Sequence, residues 1–220
     1  MDTVEKRLVK SLNPLLEGKG FVWSKSREMY IRKRRYGFDS LVWTCHIEAE
    51  EGGRLQIGPV LGVRHDEVDD LVNQLPIVYG EDNKKYTITV SRVLVYFPFK
   101  PVSGPQYIRL SNVDGGVDLV VENISKIFEI GGEGFFTTYS SVLECSRGLN
   151  EPIETEAHFL NNNFPRRAYY GLACALLVEP ERVPILLQQY VDYASTSFPL
   201  HIDRIKDRLN RLVNYSKGGD

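Results

Sequence analysis

The chain has 220 residues, of which 42% are hydrophobic and 25% charged, with a formal net charge of −2. This composition supports a buried core without metal or disulfide staples, and the near-neutral balance excludes a nucleic-acid coat held by overall charge. No apolar run reaches the roughly 18 residues that span a bilayer, the opening MDTVEKRLVKSL lacks the apolar stretch of a secretory signal, and the widely spaced Cys45, Cys145 and Cys174 suit the reduced thiols of a cytoplasmic protein.

The first element is a helix over about 3–17. Asp2 and Glu5 make a capping-box pattern, Val4, Leu8, Leu12, Leu15 and Leu16 share one face, and Gly18 and Gly20 stop it, with Pro14 tightening the last turn. A meander of strands follows at 21–23, 29–33, 40–50 and 54–64, with turns at 24–26, 36–37 and 51–53. Apolar and polar residues alternate through 41–48, as in an antiparallel sheet covered on one face. His65-Asp66 opens a short helix over 67–75, and 87–97 and 106–110 read as further strands around a Pro-rich excursion at 98–105.

From residue 112 the pattern is helical. Val117, Val120, Val121, Ile124, Ile127 and Phe128 form a stripe that Gly131-Gly132 ends, and shorter helical pieces run to about 148. Residues 149–165 read as a loop. The segment 168–178 is apolar nearly all round and is expected to be buried, with Leu172, Ala173, Leu176 and Leu177 in the core. Pro180 suits the first turn of a helix carrying Val183, Leu186, Leu187, Tyr190, Val191 and Ala194, and a last helix starts near Pro199. Helix, antiparallel strands and then helices, without βαβ alternation, predict an α+β fold: an antiparallel meander sheet with an N-terminal helix and a C-terminal layer of helices. The expected organisation is a single domain over 1–220, sheet-rich to about 110 and helical over about 112–215.

Catalytic constellations are sparse. There is no G-x-S-x-G elbow, and Cys45 and His46, adjacent on a strand, point to opposite faces. Gly131-Gly132-Glu133-Gly134 follows a helix, whereas phosphate cradles need a strand feeding a helix. Glu154, Glu156 and His158 alternate in one extended stretch and could present two carboxylates and an imidazole to a metal, with His46 or His65 in support, but solvated acidic loops are far commoner. No catalytic residue, metal or cofactor is therefore assigned.

Charge is unevenly spread. Residues 1–36 hold ten basic and four acidic side chains, a balance of +6, and residues 37–83 hold two basic and ten acidic, a balance of −8. Arg32, Lys33, Arg34 and Arg35, with Tyr30 and Tyr36 beside them, combine phosphate-binding cations with stacking rings; the plainer role is a strand end whose cations are solvated or paired with the acidic segments. Arg166-Arg167 with Tyr169 and Tyr170 is a second cationic–aromatic group. Glu48, Glu50 and Glu51 at a hairpin tip, and Asp66, Glu67, Asp69 and Asp70 at a helix start, are the candidate partner-binding residues, because an acidic surface steers and blocks a basic protein.

Three stretches, residues 12–37 (LNPLLEGKGFVWSKSREMYIRKRRYG), 61–75 (LGVRHDEVDDLVNQL) and 165–194 (PRRAYYGLACALLVEPERVPILLQQYVDYA), resemble a broad set of uncharacterised bacterial domains of immunity-protein type. That resemblance implies a non-enzymatic protein that binds and blocks a cognate toxin, and it carries over no catalytic residue. The expectation is thus a cytoplasmic protein with a protein partner, a toxin foremost, and no membrane association. A nucleic-acid-associated protein using Arg32–Arg35 ranks second and a metal-dependent enzyme third.

Overall fold

Val4, Leu8, Leu12 and Leu16 recur at four-residue spacing, so one face of α1 (Asp2–Glu17) is buried along its length. The helix ends where Gly20 takes a φ of 81°, a left-handed conformation that favours glycine. There Phe21 N–H donates to Leu16 O at 2.9 Å and Gly20 N–H to Glu17 O at 2.9 Å, the paired bonds of a Schellman stop. Pro14 lies within the helix, in its last turn.

In this computed structural model, residues 2–48, 54–75, 87–93, 106–109, 113–153, 160 and 164–216 are described. The fold is α+β, and no helix among these residues is long and apolar enough to cross a membrane. Strands β1 (Val22–Ser24), β2 (Met29–Arg34), β3 (Gly37–Glu48), β4 (Arg54–His65) and β5 (Val90–Val93) follow one another across the sheet. The order branches at β4, which also pairs antiparallel with β6 (Gln106–Arg109), Arg54 facing Arg109.

The chain divides into two compact units, each built from two stretches of sequence. Unit 1 comprises 1–62 and 92–137. In it α1 packs against β1 and against α3 (Val113–Ile127), and α3 packs against β6. The expected glycine stop is a kink: Gly131 has a φ of 142°, and α4 (Glu133–Thr138) leaves in a new direction. Phe21, Phe128 and Phe136 meet in the core, with centroids 5.5 Å apart for Phe21 and Phe136.

Unit 2 comprises 63–91 and 138–220. It holds α2 (Asp66–Val72), α5 (Val142–Asn150), α6 (Arg166–Val178), α7 (Val183–Ser197) and α8 (Ile202–Ser216). The expected loop start at 149–150 is the last turn of α5. Helix α6 is central: α5, α2, α7 and α8 all pack on it. Its residues 167–175 are buried, including Leu172 and Ala173. The expectation fails at the end of the helix, where Leu176 is half-buried and Leu177 exposed: the last turn of α6 is not enclosed as residues 167–175 are.

Candidate protein-binding surface

Strand β4 delivers Arg64 and His65 directly into α2, and both side chains are buried. Within α2, Val68, Val72 and the following Leu75 face inward with helical spacing, and Asp69 falls inside the same arc. Asp69 is fully buried and collects donors from three directions. The Thr89 hydroxyl donates to its Oδ2, the Tyr170 hydroxyl donates to Oδ1 at 3.1 Å, and Arg64 Nη1 lies 3.5 Å from Oδ1. Thr89 Oγ1 in turn accepts the His65 backbone N–H at 2.8 Å. Arg64 Nη1 also donates to Thr87 O at 3.0 Å and to Thr87 Oγ1 at 2.6 Å, so β4, residues 87–89, α2 and α6 meet in one polar cluster. Burial pushes the Asp69 carboxyl above its ordinary value, and Arg64 is the largest influence holding it down.

The neighbouring acids turn the other way. Asp66 and Asp70 are 61% and 75% exposed and flank the same guanidinium, Arg64 Nε donating to Asp66 Oδ1 at 2.7 Å and Nη2 lying 3.9 Å from Asp70 Oδ1. Glu67 is exposed as well. The acidic run read as one outward surface is therefore split: Asp66, Glu67 and Asp70 face solvent, whereas Asp69 is withdrawn from it by the 100° step of the helix. Glu50 and Glu51 lie outside the described residues, as do the Glu48 side chain and the loop acids Glu154 and Glu156 with His158.

The basic cluster in unit 1 is divided by the period of the strand. Arg32 and Arg34 share a face of β2, and Arg32 lies in register with Asp39 of β3. Asp39, fully buried, accepts Arg32 Nε at 2.9 Å, Arg34 Nε at 2.7 Å and the Tyr36 hydroxyl at 2.7 Å. Arg32 also forks onto both Glu133 carboxylate oxygens at 2.9 Å and stacks 4.5 Å from the Phe21 ring centroid. Lys33 and Arg35 are exposed. Arg32 thus pairs with Asp39 and Glu133, and Arg34 with Asp39.

No family model, curated protein or solved structure matches this chain.

Other reactive groups in unit 2 are enclosed. Cys145 and Cys174 are buried free thiols, and burial raises both above the ordinary thiol value, so both stay protonated at neutral pH. Cys145 Sγ donates to Tyr139 O at 3.4 Å. His65 Nε2 lies 2.9 Å from that same carbonyl oxygen, which can only accept, so Nε2 carries the proton. Arg167, buried at the start of α6, donates to Pro152 O at 2.8 Å and Ile153 O at 2.7 Å, and Arg166 sits 5.4 Å from the Tyr170 ring centroid. Among the described residues no group of three His, Cys, Asp or Glu side chains is placed to hold a metal. Sequence reasoning missed Thr87, Thr89 and the role of Tyr170. The one available signal was the position of Asp69 between Val68 and Val72 on the apolar arc.

Proposed function

We propose that this chain is a non-enzymatic protein-binding protein of immunity type, which blocks a cognate basic toxin through the acidic end of unit 2. The carrying observation is the arrangement around Arg64. Three carboxylates, Asp66, Asp69 and Asp70, stand against one guanidinium, and Asp66 and Asp70 face solvent together with the exposed Glu67. Asp69 fixes α2 from inside, so the outward acids stand on a held helix, and a preorganised charged surface accelerates encounter with an oppositely charged protein. The reading from the Arg32–Arg35 cluster is weaker, since Arg32 and Arg34 are already engaged by Asp39.

The test is a titration of any toxin that the neighbouring genes encode. A blocking protein neutralises its target at equimolar amounts and forms a complex that elutes as one species. Neutralisation by far less than an equimolar amount would show turnover and contradict the proposal, as would the absence of any complex.

A further inference from the structure

The connection between α6 and α7 exposes an unusual amount of apolar surface for so short a stretch. Leu177 is 42% exposed, Val178 39% and Ile185 63%, with Pro180 and Pro184 exposed between them. They fall within nine consecutive residues, at the last turn of α6 and the first turn of α7. The corner is also rigid. Pro180 opens the 3₁₀ turn Pro180–Arg182, Pro184 stands in the first turn of α7, and Glu179 N–H donates to Ala175 O at 2.8 Å. Scattered single hydrophobics on a surface need no explanation, but a grouped and braced set of them marks an interaction site.

The charge around this corner is net negative. Arg182 is committed to Glu179 at 3.0 Å and Glu151 at 3.1 Å, and Arg147, whose charge also acts on Glu179, is itself paired with Glu144 at 2.8 Å. With Glu181 exposed as well, the corner holds four carboxylates and two guanidiniums.

We propose that the Leu177–Ile185 corner is the apolar centre of the docking surface, and that its occupant is a partner protein presenting apolar side chains ringed by lysine and arginine. An apolar core inside a charged rim is the ordinary anatomy of an interface, in which the core sets the lifetime of the complex and the rim the rate of encounter. This rests on the binding reading above and names the chemistry of its partner.

The experiment uses the full chain and a fluorescent helical peptide of alternating leucine and lysine faces, with a leucine–glutamate peptide as its counterpart. The Leu–Lys peptide is expected to bind, more weakly as salt rises, and Ile185→Asp to weaken it by about tenfold or more, equivalent to about 1.4 kcal/mol. Ile185→Ser should weaken it in the same direction, which separates loss of the apolar contact from added charge. Leu200→Asp, at a side chain 92% exposed in another connection, should leave binding unchanged. Equal binding of the Leu–Glu peptide, wild-type affinity in both Ile185 variants, or equal loss in Leu200→Asp would overturn the proposal. So would a wild-type dimer in sedimentation equilibrium that Ile185→Asp converts to monomer, since the occupant would then be a second copy. If both Ile185 variants still neutralise the toxin as wild type does, the corner falls and the binding reading stands.

Discussion

The Tyr170 hydroxyl donates to the Asp69 carboxylate across 3.1 Å, joining α6 to α2 over 101 positions of sequence. Both groups are buried, so the bond cannot be replaced by water without opening the unit. Tyr170→Phe removes one donor from a buried carboxylate and is expected to cost about 1.5–3 kcal/mol, the range for hydrogen bonds to charged groups. Urea denaturation of the two proteins measures it. A loss below about 0.5 kcal/mol would mean that Asp69 needs only Arg64 and Thr89.

Asp69 also sets a pH dependence with a definite sign. Burial raises its folded value above its unfolded one. Its contribution to stability is therefore full below the unfolded value, near 4, and is lost as pH rises through the folded value. Asp69→Asn, which has no such titration, should gain on the wild type as pH is raised from about 4 toward neutrality, in urea melts at matched ionic strength. A gap that instead moves in favour of the wild type over that range would show that Arg64 and the hydroxyls outweigh burial.

Gly171 permits the close approach of α5, α6 and α7. A Cβ there would stand 2.3 Å from Asn150 Oδ1 and 2.6 Å from the Tyr190 hydroxyl oxygen, two groups already hydrogen-bonded to each other. Asn150 Nδ2 also donates to Gly171 O at 3.1 Å, so the side chain cannot swing away without losing a second bond. Gly171→Ala is expected to destabilise by about 1–3 kcal/mol, as overpacking of a filled core does. A neutral or stabilising effect, readable from the thermal midpoint, would contradict this packing.

The division into units predicts how the chain responds to a cut. The backbone passes between units after Gly62, Ser91 and Thr137, so each unit contains sequence from both sides of the Pro-rich stretch. A protease site inserted after Lys100 should yield two fragments that co-elute under native conditions and separate only in denaturant. Separation without denaturant would show that neither unit holds its two stretches together.

Much of the fold is legible in the pattern of residues. Leu8, Leu12 and Leu16 mark α1, and Val117, Val120, Ile124 and Ile127 mark the buried stripe of α3, because burial of one helical face imposes its own period. The glycines at 20 and 131 mark turns through their conformational freedom. The site is less legible. Arg32–Arg35 looks like one cluster only until alternation along β2 and the register with Asp39 separate its members. Asp69 looks like its acidic neighbours, and the groups that withdraw it, Thr89 and Tyr170, come from distant positions that no local pattern connects to it. Leu177 looks like core by composition, yet it is 42% exposed, since composition does not tell which turn of an apolar helix its neighbours cover.

The central claim is that the outward acids of α2 steer and hold a basic protein partner. Stopped-flow association of a candidate basic toxin, with wild type and with Asp66→Lys, Glu67→Lys, Asp70→Lys in one chain, tests it most directly. The wild-type rate should fall steeply between low and physiological salt, and the reversed chain should associate at least about tenfold more slowly with that salt dependence lost or inverted. An unchanged rate and an unchanged salt dependence in the folded triple variant would contradict it.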